Sequence, residues 1–304
     1  MSIDFFQGLS AFPLTPIDVS GNVDAAILTR FLDRIQMAGA DSVGLLGSTG
    51  SYAYLSRSQR QQAVQIAVHA VGGKTPLIVG VGALRADEAV ILARDAEEAG
   101  ADALLLAPVS YTPLTDEEVY QHFRTVAEAT SLPLCIYNNP GTTRFIFAHE
   151  LIVRLAKLKN IKAIKMPLPA NDAFKVELSK LRSETKEDFS IGYSGDWGAA
   201  DALLAGCDCW YSVIAGLLPV PALSLARAAQ AANRAEAERI NLAFQPLWEL
   251  FKRFGSFRVM YVIADLLGLA QIEPPRPILP LAPPVRAKVE QALESLDSLE
   301  LSRE

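Results

Sequence analysis

The chain has 304 residues, half of them hydrophobic and a fifth charged, with a formal net charge of −6. A chain of this size buries about three quarters of its extended surface, so folding requires neither disulfides nor a structural metal. The acidic balance and the lack of a basic run with interleaved aromatics argue against a nucleic-acid partner, and no apolar stretch approaches the roughly 20 residues that span a bilayer.

The opening "MSIDFFQGLSAFPLTP" has no positive segment followed by a long apolar one, so no signal peptide is expected and a cytoplasmic location is. Cys135, Cys207 and Cys209 are odd in number, and two of them form a C-x-C pair, which does not suggest a disulfide framework. The pair in "GCDCWYS" could also suggest a metal, but zinc sites usually need three or four Cys or His ligands. His69, His122 and His149 are scattered singly, so the thiols read as small buried groups and no metal site is expected.

Along the chain, short apolar runs alternate with amphipathic stretches. The runs are "GLSAF" (8–12), "SVGLLG" (42–47), "PLIVGVG" (76–82), "ALLLAP" (103–108), "LPLCIYN" (132–138), "IKAIKM" (161–166), "FSIGYSG" (189–195) and "CWYSVIA" (209–215). Between the first two, "DAAILTRFLDRIQMAG" places Ile27, Phe31, Leu32 and Ile35 on one helical stripe and stops at Gly39. "SRSQRQQAVQIAVHAVGG" and "DEAVILARDAEEAGAD" behave likewise, with Ser or Asp at the start and Gly at the end. Eight apolar strands alternating with helices predict a parallel sheet covered by helices, closed as a (β/α)8 TIM barrel over residues 1–219. The rival, an open doubly wound sheet, would usually carry a glycine-rich dinucleotide fingerprint after its first strand, and "AFPLTPIDVSGN" has none. Residues 220–304 read as a C-terminal helical extension packed on the barrel.

Reactive groups of such a barrel lie at the C-terminal ends of its strands. The second strand ends in "GSTG", where Ser48 and Thr49 sit in a glycine-flanked turn that could offer N–H groups and hydroxyls to a carboxylate, or be a plain turn. The fourth ends in "APVSYTPLT", presenting Tyr111 on a loop, a position common for an oligomer contact. The fifth ends in "IYNNPGTT", where Tyr137 reads equally as a packing residue. The sixth carries two lysines. At period two, Ile161, Ala163 and Lys165 share one face while Lys162, Ile164 and Met166 share the other. Lys165 faces the interior if the small Ala163 does, and desolvation there would favour the neutral amine, a nucleophile toward ketones. A strand-end lysine reaching solvent is the alternative. The seventh strand ends at Gly195, where a ligand could approach the backbone closely, and the eighth at Tyr211 and Ser212.

"GSTG", "YNNPGTT", "IKAIKMP", "SGDW" and "YSV" stand in the order and spacing of one family. Between "AFPLTPID" and "PLAPPVRAKVEQAL", the chain resembles the dihydrodipicolinate synthase / N-acetylneuraminate lyase family of class I pyruvate-type aldolases. The resemblance implies that Lys165 forms a Schiff base with pyruvate or another 2-keto acid, with no metal or organic cofactor. It implies that Tyr137, Thr49 and Tyr111 relay protons, Tyr111 in many members from across a subunit interface. Ser48 and Thr49 would hold the keto acid carboxylate, and Gly195 and Tyr211 would offer backbone contacts. A homo-oligomer, dimer or tetramer, is also implied.

The sequence departs from the family on the second-substrate side. Thr142 stands where the synthases carry an arginine that grips the aldehyde substrate's carboxylate, and a hydroxyl cannot replace a bidentate guanidinium. Arg144 is two residues further on. Ser51, Ser110 and Cys209 replace a usual glutamate, aromatic and glycine. The expected function is therefore a Schiff-base lyase, for example one cleaving or dehydrating a 2-keto-3-deoxy sugar acid. The alternatives are authentic 4-hydroxy-tetrahydrodipicolinate synthase and a non-catalytic member that binds 2-keto acids. A metal-dependent barrel hydrolase fits poorly, because the strand ends lack His and Asp clusters.

Overall fold

The computed structural model describes residues 5–297 and 299. Eight strands form at the eight apolar runs: β1 (Gly8–Ala11), β2 (Ser42–Leu45), β3 (Leu77–Gly80), β4 (Ala103–Leu106), β5 (Leu134–Tyr137), β6 (Ile161–Met166), β7 (Ser190–Tyr193) and β8 (Cys209–Ser212). All pair in parallel and in chain order, and β8 closes on β1 through Gly8–Cys209 to Ala11–Ser212.

Alternation along each strand divides the buried residues into two cores. Large side chains such as Leu9, Val43, Leu104, Ile136, Ile164 and Trp210 point outward and pack against the helices. The barrel interior takes a separate and smaller set, including Phe12, Ile78, Ala103, Cys135, Tyr137, Ala163 and Tyr211. Ala163 is interior, so Lys165, two residues on, is interior too.

The helices are α1 (Ala25–Ala38), α2 (Arg57–Val71), α3 (Ala86–Ala99), α4 (Asp116–Glu128), α5 (Pro140–Thr143), α6 (His149–Ala156), α7 (Phe174–Glu184), α8 (Ala199–Leu204), α9 (Pro219–Gln230), α10 (Arg234–Phe254), α11 (Ser256–Leu266) and α12 (Pro283–Asp297). Local signals set their limits. The Asp24 carboxylate accepts from the Ile27 N–H at the start of α1, and Gly39 ends it in the left-handed conformation. Ser56 and Gln59 form a reciprocal capping box on α2, as Thr115 and Glu118 do on α4. Leu28, Phe31, Leu32 and Ile35 are the buried face of α1, each contributing about 1.5–3 kcal/mol of burial. Leu28 takes the place expected for Ile27, which is only partly buried. In α3, Arg85 occupies the N-cap, and Asp87 lies in the first turn.

α9 packs on α1, α8 and β1, the place of the eighth helix of the outer ring. The expected boundary at residue 219 falls at its first residue, because its Pro-rich start hides the barrel rhythm. We therefore place the extension at α10–α12. α10 packs on α9, and α12 packs on α10 and α11; Phe244 and Trp248 stack at 4.7 Å.

Candidate active site

Lys165 is the fifth residue of β6 and only 3% exposed. Its Nζ lies 3.8 Å from the centre of the Phe12 ring, 4.5 Å from that of Tyr137 and 5.5 Å from that of Tyr211. Strand register sets this cluster: Lys165 pairs with Tyr137 on β5 and with Gly192 on β7. The Asn138 N–H donates to the Lys165 carbonyl at 3.0 Å and carries the β5–β6 ladder past the end of the strand. Lys162 resolves the two-lysine ambiguity from the opposite face. Its ammonium reaches Asp188 at 2.6 Å on the protein surface and holds that carboxyl below the usual range.

The Tyr137 hydroxyl lies 3.1 Å from Ser48 Oγ and accepts from Asn139 Nδ2 at 3.0 Å. Asn139 Nδ2 also reaches Ser48 Oγ at 3.3 Å, closing a three-residue network. Ser48, then, provides the hydroxyl that meets Tyr137, while Thr49 is buried next to it in the turn. That turn is shaped by two left-handed non-glycine residues, Leu46 (φ 55°) and Ser51 (φ 60°), a conformation costing on the order of 1 kcal/mol or more each. Gly80 on β3 makes it possible, since a side chain there would overlap the Leu46 carbonyl oxygen. Beyond the turn, Arg60 is buried and donates to the carbonyls of Tyr52 and Gly82, tying the loops after β2 and β3 together. Burial pushes its pKa down. Ser51 Oγ lies 3.4 Å from the Tyr261 hydroxyl, so the helical extension touches the same turn.

Tyr211, expected to offer a backbone contact, also brings its ring to the site. Its side chain is fully buried inside the barrel, 3.5 Å from Cys135 Sγ through its hydroxyl. Burial pushes this phenol well above its ordinary pKa, and the Cys135 thiol up to about 12. Gly192 makes room for the ring, because a Cβ there would lie 2.6 Å from Tyr211 Cε2. Gly195 adopts φ 100°, and a Cβ there would lie 2.9 Å from Leu168.

The adjoining Asp196, within "SGDW", is 1% exposed. Its carboxylate accepts from Trp210 Nε1 at 3.0 Å and from the N–H groups of Val213 (3.2 Å) and Ile214 (2.7 Å), joining the loops after β7 and β8. Burial raises its pKa to about 6 against the lowering effect of these donors and of Lys165.

Two expected residues stand apart from the cluster. Tyr111 is 97% exposed on the loop after β4. Thr142 is exposed on α5, where its hydroxyl donates to the Asn139 carbonyl at 3.3 Å. Arg144 follows in the left-handed conformation and is also exposed. Cys207 and Cys209 are free buried thiols. Among the described residues, no three or more His, Cys, Asp or Glu side chains are grouped as a metal site would need. Nor is any helix among them long and apolar enough to cross a membrane.

Phe12, Asn139, Asp196 and Gly192 were missed as functional candidates. Phe12 and Gly192 belong to interior-facing positions of the alternation, which was the available signal; Asn139 and Asp196 depend on contacts across loops.

A closed (β/α)8 barrel with a buried lysine near the end of its sixth strand, and a phenol from the fifth beside it, has the architecture of the class I aldolases. The chain belongs to the dihydrodipicolinate synthetase family, whose model matches residues 5–296. It is 38% identical to the 4-hydroxy-tetrahydrodipicolinate synthase of Bacillus velezensis over 197 residues, 65% of this chain and 66% of that one. The match therefore spans just under two thirds of that relative. The corresponding synthase of Pseudomonas putida is 32% identical over 281 residues, 92% of this chain and 94% of that one. A crystal structure described as dihydrodipicolinate synthase from Agrobacterium tumefaciens matches with a TM-score of 0.95 and 60% identity, covering 97% of this chain and 99% of that one.

Proposed function

We propose that the chain is a Schiff-base-forming lyase acting on pyruvate or a related 2-keto acid, with Lys165 as the nucleophile. The observation that carries this reading is a buried amine set against Tyr137, whose hydroxyl is already engaged by Ser48 and Asn139. The amine adds to the keto carbon, and the carbinolamine loses water to leave an iminium. Loss of a proton from C3 then gives an enamine, which attacks an aldehyde carbon; the same steps in reverse cleave that bond. Tyr137 carries protons to and from these intermediates, with Ser48 as its hydrogen-bond partner and Thr49 beside it. The turn at Ser48 and Thr49 receives the keto acid carboxylate, and Gly195 and Tyr211 flank the covalent intermediate. No organic cofactor is needed, because the iminium itself is the electron sink. Tyr111, projecting from the loop after β4, completes the relay of a neighbouring copy in a homo-oligomer. We place the protein in the cytoplasm.

Of the reactions open to this chemistry, the names of the relatives favour 4-hydroxy-tetrahydrodipicolinate synthesis over the sugar-acid reading expected from the sequence. One observation favours the second reading: Thr142, with its hydroxyl turned to the Asn139 carbonyl, offers no charge to a second carboxylate. Pyruvate consumption with aspartate semialdehyde, set beside cleavage of a panel of 2-keto-3-deoxy acids, separates the two. Turnover of the semialdehyde alone supports synthesis; turnover confined to the sugar acids overturns it. Inactivity on the whole panel, with pyruvate bound, would identify a non-catalytic binding member.

A further inference from the structure

Arg60, the fourth residue of α2, is only 7% exposed. Its guanidinium gives three hydrogen bonds to main-chain carbonyls. Nε and Nη2 donate to Tyr52 at 3.0 and 2.7 Å, and Nη1 donates to Gly82 at 2.9 Å. A buried charge met by carbonyl oxygens is costly to build, so those oxygens are worth following. The Tyr52 carbonyl stands at the end of the turn that carries Ser48 and Thr49. Ser51, one residue earlier, is left-handed, and its N–H donates to the Ser48 carbonyl at 3.1 Å. Gly82 leaves room for the Tyr52 ring, since a Cβ there would lie 3.2 Å from Tyr52 Cε2 and 3.3 Å from the Ala107 carbonyl oxygen. The guanidinium carbon lies 5.3 Å from the centre of the same ring. Tyr52 is therefore gripped through both its carbonyl and its side chain. From the turn, contacts run on to the amine: Ser48 Oγ is 3.1 Å from the Tyr137 hydroxyl, and the Tyr137 ring centre is 4.5 Å from Lys165 Nζ.

We propose that Arg60 is a positioning residue for the keto acid carboxylate, holding the turn at Ser48 and Thr49 in the shape that receives it. This inference rests on the proposed Schiff-base function and on the seat given there to the carboxylate. With Leu46 and Ser51 both left-handed, the turn has a backbone that its own residues disfavour, and such a backbone persists only where its surroundings over-determine it. At one end, the gap at Gly80 admits the Leu46 carbonyl. At the other, Arg60 pins the Tyr52 carbonyl and ties it to the loop after β3. A planar guanidinium can serve two carbonyls on two loops at once, which the point charge of an ammonium cannot do in the same geometry. Without it the turn relaxes and the carboxylate loses its seat. The amine is held by strand register on β6 and stays where it is.

The test uses borohydride trapping, followed by intact mass, with two ketones: pyruvate, which carries a carboxylate, and acetone, which does not. The pyruvate concentration that half-saturates trapping is expected to rise roughly tenfold in Arg60→Lys and roughly a hundredfold in Arg60→Met. Acetone trapping should stay at the wild-type level in both. Arg60→Lys, which keeps the charge and the stem, carries the test if Arg60→Met does not fold. If the wild type traps pyruvate but not acetone, the pyruvate half-saturation decides alone. Equal losses with the two ketones, or an unchanged pyruvate half-saturation in a variant that folds, overturns the inference and leaves the Schiff-base reading standing. No pyruvate adduct on the wild type overturns both.

Discussion

Inside the barrel, Lys165, Tyr137 and Phe12 are buried and fixed by neighbouring parallel strands; at its mouth, Thr142, Arg144 and Tyr111 stand on exposed segments. The interior holds the parts that a keto acid needs: an amine, a phenol with its hydroxyl partner, and an aromatic floor. On the proposed function, the mouth holds the parts that a second substrate would meet, and Thr142 there presents a hydroxyl and no charge. Chemistry common to a whole family can thus rest on register-determined positions, while the choice of acceptor is left to loops that change without disturbing the barrel.

The largest test of this division is Lys165→Ala. Turnover should fall by more than about a thousandfold, with the fold retained by circular dichroism; residual activity near the wild-type level would break the comparison. Tyr137→Phe keeps the ring beside the amine but removes the hydroxyl that Ser48 and Asn139 engage. A drop in kcat of about a hundredfold or more is expected, with a much smaller change in KM. At the mouth, Thr142→Arg should raise kcat/KM for an aldehyde bearing a carboxylate by about tenfold, with pyruvate trapping unchanged. A change in trapping instead would show that the two regions are not separable.

Asp196 links the strand ends through a pH effect on stability. Its folded pKa of about 6 lies above an unfolded value of about 4. Between these values the native state retains a proton that the unfolded chain releases, so stability falls as pH rises through this window and stays lower above it. The loss is on the order of 2 kcal/mol, read as a denaturation free energy that declines from pH 4 to 7 more steeply in the wild type than in Asp196→Asn. Equal slopes would contradict it. The smallest effect belongs to Lys162→Met. Its surface pair with Asp188 contributes under about 1 kcal/mol, and neither trapping nor turnover should change.

The barrel was legible because short, nearly continuous apolar runs separated by helical stripes leave few arrangements for eight such units. Alternation narrowed the β6 lysines to two faces, and the choice between them hung on Ala163, which the structure places inside. Three features were hidden. The eighth ring helix, α9, begins with prolines and resembles the helices that follow it. The space that Phe12 fills is created by Gly44 and Gly47, which lie more than thirty positions away in the chain. Asp196 reads as a turn residue until β8 brings the Trp210 indole and the Val213 and Ile214 N–H groups to it. In each case the deciding contact lies between distant segments, where local periodicity carries no signal.

The central claim, that the interior lysine of β6 and not its surface neighbour is the nucleophile, is tested most directly by locating the adduct. After borohydride reduction in the presence of pyruvate, peptide mapping should place a single reduced adduct on Lys165 and none on Lys162. An adduct on Lys162, or one that persists in Lys165→Ala, would contradict the account.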